Sequence, residues 1–283
     1  MIEIINSGFY TSIQDKGRIG FKNFGVPISG AMDQHSFSWS NRLLNNLTNS
    51  AVLEMSFKGP KICFHEDTFI AITGAFMNPK LNGFSLEMNK PIGIKKMDIL
   101  QFGNAISGSR TYLSVLGGLQ TQKILGSRSQ FKGITTFERI SKRTVIPIKK
   151  LSFNLFKGSV IKHTMINFDK NILTAYEGPE FDLLPENIKH QLSFKKFHLS
   201  HLNNRMGYQL KEKITFKLPQ IWTAPVLPGT VQCTPEGKLI ILMQDAQVTG
   251  GYSRLLQLDD DAINCLAQKG TNDLLQFRIK KLT

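Results

Sequence analysis

Apolar positions along this chain recur in short alternating or β-branched runs. Phe69-Ile70-Ala71-Ile72, Asp98-Ile99-Leu100-Gln101-Phe102, Tyr112-Leu113-Ser114-Val115-Leu116, Val145-Ile146-Pro147-Ile148, Leu192-Ser193-Phe194, Lys213-Ile214-Thr215-Phe216 and Lys238-Leu239-Ile240-Ile241-Leu242 each have the length and residue types of a strand. Turn formers such as Asn82-Gly83, Gly117-Gly118 and Glu236-Gly237 separate many of them, the punctuation of antiparallel sheets. The pattern predicts a mostly-β protein with a few short helices. One helix starts at Asp33, whose carboxylate caps free backbone N–H groups while Phe37, Ser40, Leu43, Leu44 and Leu47 form one face, and it ends at Asn45-Asn46. A second begins at Asp259-Asp260-Asp261, turns Ile263 and Leu266 inward and stops at Lys269-Gly270. A third, short one opens at Pro185, where a first-turn proline loses no helical hydrogen bond.

With 283 residues, the chain has room for two medium domains and for a core that needs neither disulfide nor metal. The segment Asp98-Ile99-Leu100-Gln101-Phe102 recurs as Asp273-Leu274-Leu275-Gln276-Phe277, which suggests two related units, and the boundary is placed at 1–170 and 171–283. At 41% apolar and 20% charged, the composition excludes disorder as the main state. The excess of 35 basic over 21 acidic residues, a net charge of +14, would suit an anionic partner. The basic residues are scattered as singles and pairs such as Lys149-Lys150 and Lys280-Lys281, however, and the aromatics lie within apolar alternations, so a nucleic-acid partner is not expected. Cys63, Cys233 and Cys265 are far apart and form no disulfide framework, which fits a reducing cytosol. The N-terminus alternates like a strand rather than a signal peptide, and the apolar run Leu239 to Met243 is far short of the ~20 residues that cross a bilayer; a cytoplasmic protein with no membrane partner is expected. His190, His198 and His201 have no Cys, Asp or Glu at a compatible short spacing, so no metal site is expected.

Candidate chemistry gathers in glycine-dense segments. Gly8, Gly17, Gly20, Gly25 and Gly30 surround Gln14, Asp15, Arg18, Ser29 and Asp33, a density that lets backbone approach a ligand or another chain closely. Arg18 is suited to a carboxylate-bearing substrate and Asp15 places the opposite charge on the same turn; equally, Asp15 caps backbone N–H groups and Arg18 pairs with a neighbouring acid. Gly126-Ser127-Arg128-Ser129 offers hydroxyls, a guanidinium and backbone amides to an anion, or is a surface turn held by its serines. In the second half, Asn203-Asn204-Arg205-Met206-Gly207-Tyr208, Gly229-Thr230-Val231-Gln232 and Thr249-Gly250-Gly251-Tyr252 combine flexible backbone with polar-tipped side chains, the composition of a pocket wall or of hairpin turns. A Walker loop, a G-x-S-x-G elbow and a biotin-carrier hairpin are absent from the sequence.

In their order along the chain these motifs resemble one family. Gln14-Asp15-Lys16-Gly17-Arg18, Gly25-Val26-Pro27-Ile28-Ser29-Gly30-Ala31-Met32-Asp33, Asn41, Leu53-Glu54, Gly59-Pro60, Tyr112 with Gly117-Gly118, Gly126-Ser127-Arg128-Ser129, Asn204 to Tyr208, Pro228 to Gln232 and Thr249 to Tyr252 are similar to the C-type subunits of 5-oxoprolinase, themselves similar to the carboxyltransferase part of urea carboxylase. The resemblance implies tandem cyclophilin-like β-barrel units. It also implies a hydrolase complex with a B-type (KipI-like) subunit and an A-type one, opening the lactam of 5-oxoproline to glutamate with ATP, a small-molecule acid being the substrate. Because an amide is a poor electrophile, ATP would activate its oxygen as a leaving phosphate before water attacks. Carried over by position, Asp15, Arg18 and Asp33 become the catalytic candidates. Gln14, Ser29, Arg128, Asn204, Arg205, Tyr208, Gln232, Gly250, Gly251 and Tyr252 become the substrate-binding ones. The chain departs from the family at Gln130 to Lys150, which is basic and Thr-rich where a Gly-rich stretch is usual, and at Ser253, where proline is usual. Two rival functions stay open: a biotin-dependent carboxyltransferase component for a urea-like acceptor, and a regulatory binding protein that antagonises a KipI-like kinase inhibitor.

Overall fold

A computed structural model of the chain describes residues 1–149, 168, 170–219 and 221–281. The described residues fall into two compact units, one of Met1–Ile19 with residues 29–149, the other of Gly20–Ile28 with residues 168–281.

The first unit contains eleven strands: β1 (Ile2–Asn6), β2 (Tyr10–Gln14), β3 (Val52–Ser56), β4 (Lys61–Phe64), β5 (Thr68–Phe76), β6 (Lys80–Leu81), β7 (Phe84–Ser85), β8 (Pro91–Ile94), β9 (Ile99–Gln101), β10 (Ser107–Val115) and β11 (Val145–Ile146). They form two antiparallel sheets, ordered β11-β1-β4-β9-β6-β7 and β2-β3-β10-β5-β8. Alternation decides what lies between them. Ile2, Ile4, Ile62, Phe64 and Leu100 from one sheet meet Ile13, Leu53, Ile70, Ile72 and Leu113 from the other in a single buried core, whereas Glu3 and Cys63 pair on the opposite face. The second sheet is covered on its other side as well. Helix α1 (Gln34–Leu43) lays Phe37 on Val52 and Tyr112, and Trp39 and Leu43 on Ala71. Every residue of β3 is therefore buried, which is why Val52-Leu53-Glu54-Met55-Ser56 shows no polar alternation.

The second unit closes a seven-stranded barrel from β12 (Ile172–Glu177), β13 (Phe197–Asn203), β14 (Gly207–Lys213), β16 (Thr230–Cys233), β17 (Lys238–Leu242), β19 (Ser253–Leu258) and β20 (Leu274–Lys280). Closure is made by the parallel pair of β12 with β20, and a small ribbon of β15 (Ala224–Pro225) with β18 (Thr249–Gly250) stands apart from it. Helix α2 spans Glu186–Phe194 and helix α3 Asp260–Ala267, the latter capped by the Asp259 side chain on the Ala262 N–H. No helix among the described residues is long and apolar enough to cross a membrane.

The mostly-β class with few short helices holds, and the barrel is closed in the second unit. Three local expectations fail. Leu192-Ser193-Phe194 is the last turn of α2 rather than a strand, because Ile188 and Leu192 bury together at helical spacing behind Pro185. Only Lys213 of Lys213 to Phe216 is in a strand; the Ile214 N–H still reaches the Gly237 carbonyl opposite, and the pairing runs out there because the partner turns back from Gly237 to Thr234. Leu47 lies beyond the end of α1 and is exposed, the helix having stopped at Leu43 before a left-handed Asn45.

Candidate functional site

In the first unit, the end of β2 and the 126–130 loop are built around Asp15. Its Oδ1 accepts from the N–H of Gly17 at 2.9 Å and from the hydroxyls of Ser127 at 2.6 Å and Ser129 at 2.7 Å. Its Oδ2 accepts from the Arg128 N–H at 2.6 Å. Arg18 is buried and donates from Nη2 to the carbonyl of Ser129. Arg128 reaches the carbonyl of Thr121 with Nε at 2.8 Å and Gln120 Oε1 with Nη2 at 3.1 Å. Gln14 ties the same loop by donating to Gln130 O, while its buried Oε1 has no hydrogen-bond partner among the described residues. The buried Ser29 hydroxyl is in the same condition, on a residue at φ 56°. Gly30 is required beside it: the Ala31 N–H bonds to the Asp15 carbonyl, and a Cβ at position 30 would sit 3.0 Å from that oxygen.

Asp33 is a helix cap, its two oxygens taking the N–H and hydroxyl of Ser36 at 2.9 and 2.6 Å. Its own N–H donates to the Tyr112 hydroxyl, which donates in turn to Glu54 Oε2, and that oxygen also accepts the Met32 N–H. Burial first, then the negative charges of Glu54 and Asp33, hold the Tyr112 phenol well above its ordinary range, so it stays a neutral donor. Sequence reasoning gave Glu54 and Tyr112 no role. Their signal was present, a carboxylate within an otherwise buried strand and a tyrosine on the neighbouring one.

In the second unit, Leu202, Asn204, Met206, Gly207, Gln209, Gln232, Ile240, Leu242, Gln247 and Tyr252 line a cleft of about 220 Å³. Register explains it. Gln209, Ile240 and Gln232 are cross-strand partners on β14, β17 and β16, and the adjacent row of Tyr208, Ile241 and Val231 turns into the barrel core, so the cleft lies on the barrel's outer face. Gln232 makes two long contacts: its Nε2 donates to the carbonyl of Tyr252 at 3.4 Å and its Oε1 accepts from Gln247 at 3.5 Å. A Cβ at Gly250 would come within 2.7 Å of that Nε2, whereas one at Gly251 would make only ordinary contact with Ile221 O. Asn204 turns its Oδ1 back onto the N–H groups of Met206 and Gly207.

The structure thus brings Asn204, Gln232 and Tyr252 to one cleft with Gly250 behind it, and gathers Gln14, Asp15, Arg18 and Arg128 in the first unit. Arg205 and Tyr208 stand outside the lining. Arg205 forms a buried two-pronged pair with Asp245, Nε to Oδ2 at 2.7 Å and Nη2 to Oδ1 at 3.1 Å, and Tyr208 is buried in the barrel wall. Gln209 and Gln247 were missed; the first was readable as the outward neighbour of Tyr208, the second gave no local signal. Among the histidines, His198 bonds Glu212 at 2.6 Å and His190 stacks on Phe194. Ser253 donates its hydroxyl to the carbonyl of Pro219.

Residues 24–279 match the family described as carboxyltransferase domain, subdomain A and B. The C-type subunit of Escherichia coli 5-oxoprolinase is 31% identical over 274 residues, which are 95% of this chain and 87% of that protein. The urea amidolyase of Lachancea kluyveri is 42% identical over 130 residues, 46% of this chain but 7% of that much longer protein. Among solved structures, the urea carboxylase of Kluyveromyces lactis superposes with a TM-score of 0.85 at 27% identity, over 98% of this chain and 27% of its own. The chain belongs to the carboxyltransferase domain family, subdomain A and B.

Proposed function

We propose that this chain is the C-type subunit of an ATP-dependent 5-oxoprolinase and that the cleft on its barrel receives the lactam. The observation that carries the reading is the carboxamide-bearing lining of that cleft; its described residues include no Asp, Glu, Lys, Arg or His, so the amide edge of 5-oxoproline lies inward and its carboxylate points out to water. A lactam ring holds its N–H and C=O side by side on one edge. A glutamine side chain offers the complementary acceptor and donor, and Gln232 keeps both in contacts of 3.4 and 3.5 Å, at the weak end of hydrogen bonding. Gln232 is buried, so a ligand takes over these contacts once the Gln247 side chain and the Tyr252 turn move aside. Leu202, Met206 and Ile240 supply apolar surface for the ring carbons, and Tyr252 a half-open aromatic wall. Similarity to the C-type subunit of a 5-oxoprolinase over 95% of the chain supports the same substrate.

ATP would supply the phosphoryl group that activates the lactam oxygen. The loop at 126–129, which has hydroxyl and backbone donors for a phosphate, is filled by the Asp15 carboxylate. That occupancy supports a nucleotide site on the A-type or the KipI-like B-type partner. This chain binds and orients the amide edge. The second reading, carboxyl transfer from biotin to a urea-like acceptor, is favoured by the 42% identity to urea amidolyase over 130 residues, and urea presents the same amide edge to Gln232.

The test is to purify the chain with its A- and B-type partners and to follow glutamate formed from 5-oxoproline and ATP. Omitting the chain abolishes turnover, and Gln232→Leu lowers kcat/KM at least ~10-fold, the worth of one or two hydrogen bonds to substrate. Full turnover without the chain ends the 5-oxoprolinase reading, and unchanged kinetics in Gln232→Leu removes the cleft from it. Carboxylation of urea from carboxybiotin, with no glutamate formed, moves the assignment to the second reading.

A further inference from the structure

We propose that the 126–130 loop is an anion-binding cradle whose resident anion is the chain's own Asp15, and that this carboxylate holds the loop that fixes Arg18 and Arg128. Asp15 is 4% exposed and accepts four hydrogen bonds. A local turn needs only one of them, the bond from the Gly17 N–H two residues on. The other three come from a segment more than a hundred residues away in sequence, from two serine hydroxyls and the Arg128 backbone. Those donors are fully committed. While each hydroxyl donates to the carboxylate, Ser129 Oγ accepts the Asp15 N–H at 3.0 Å and Ser127 Oγ accepts the Ser129 N–H at 3.0 Å. The combination of backbone N–H groups and hydroxyls around one carboxylate is what a protein builds to hold a free anion. Here the anion is covalently attached.

The consequence reaches both arginines. Ser129, held through its hydroxyl, presents the carbonyl that receives the Arg18 guanidinium, and Arg128, held through its N–H, is aimed at Thr121 O and Gln120 Oε1. Without the carboxylate, the loop loses its centre and both guanidinium groups lose their bearings. This inference makes no use of the lactam reading, and its test involves neither substrate nor partner.

The experiment compares the full-length wild-type chain with Asp15→Gly and Asp15→Asn by hydrogen exchange and thermal unfolding, in sodium formate, in sodium chloride and with formamide. In chloride, Asp15→Gly loses roughly tenfold or more of the protection of the 126–130 segment, and its Tm falls by roughly 5–10 °C. Formate enters the vacated cradle and restores both in a saturable way, whereas formamide, of the same shape without the charge, does not. Asp15→Asn fills the cradle with a neutral amide, so it loses protection that formate fails to return. An Asp15→Gly chain that folds only in formate gives the same answer. Wild-type protection in Asp15→Gly, an equal response of all three proteins to formate, or failure of Asp15→Gly to fold in formate overturns the proposal.

Discussion

A guanidinium group taken out of water must meet acceptors that match its geometry, or the fold is better without it. Arg205 meets that demand through Asp245, forty positions along the chain, with both groups buried and the Asp245 N–H bonded back to the Arg205 carbonyl. This explains why an arginine stands in the glycine-bearing turn before β14, and it argues against a free anion site there. Removing one partner strands the other, so Arg205→Ala is expected to cost about 3–5 kcal/mol in equilibrium urea unfolding. Arg205→Met combined with Asp245→Leu is expected to regain most of that loss, because no charge is then left buried. A loss below ~1 kcal/mol in the single variant would mean that water has replaced the partner. The arginines at 18, 128 and 205 were visible in the sequence as candidates; their acceptors were not. Thr121 O, Ser129 O and Asp245 become neighbours only through chain reversals that no local pattern encodes.

Elements whose signals are local were legible before folding. The start of α1 is one: Asp33 caps it as its position before an amphipathic run requires. The same residue was also a catalytic candidate, and the two roles separate by substitution. Asp33→Ala removes the acceptor for the Ser36 N–H and hydroxyl and is expected to cost roughly 1–2 kcal/mol, read as a lower urea midpoint. Asp33→Asn keeps a cap-competent oxygen and should melt close to wild type. If the carboxylate takes part in chemistry, Asp33→Asn kills turnover of the assembled enzyme while leaving Tm in place; retained turnover makes it a cap alone. Elements fixed by pairing were less legible. The run Leu192-Ser193-Phe194 has strand composition yet completes α2, since Pro185 and the Ile188–Leu192 spacing act over a longer window than three residues. The cleft was half legible for a similar reason. Gln232 and Tyr252 announced themselves in turn motifs, but the Gln209–Ile240–Gln232 row exists only in the register of three strands.

For the chain as a whole, charge and pH set how stability is distributed. At +14 near neutrality the molecule already repels itself, and acid adds to the excess. Several carboxylates sit below their ordinary range: Asp67 through the Lys96 N–H, Glu87 through Lys90, Glu236 through the Thr234 hydroxyl. Burial pushes Glu180 and Glu212 upward, but the hydrogen bonds and charge of Arg254 and the N–H groups of His198 outweigh it. The unfolded chain therefore binds more protons than the folded one in acid, and stability falls as pH drops through about 4. The alkaline side has the opposite cause. Burial first, and then the charge of Glu236, pushes the Cys233 thiol up to about 11. The folded state retains a proton that the unfolded thiol loses from about pH 9, so this contribution is complete below pH 9 and disappears as pH rises toward 11. Two pKa units correspond to about 2–3 kcal/mol. Urea midpoints measured from pH 8 to about 11 should decline more steeply in wild type than in Cys233→Ala, whose small apolar side chain has no proton to lose. Parallel alkaline limbs in the two proteins would assign the decline to Tyr112 or Cys63, which burial also holds high, and not to the thiol on β16.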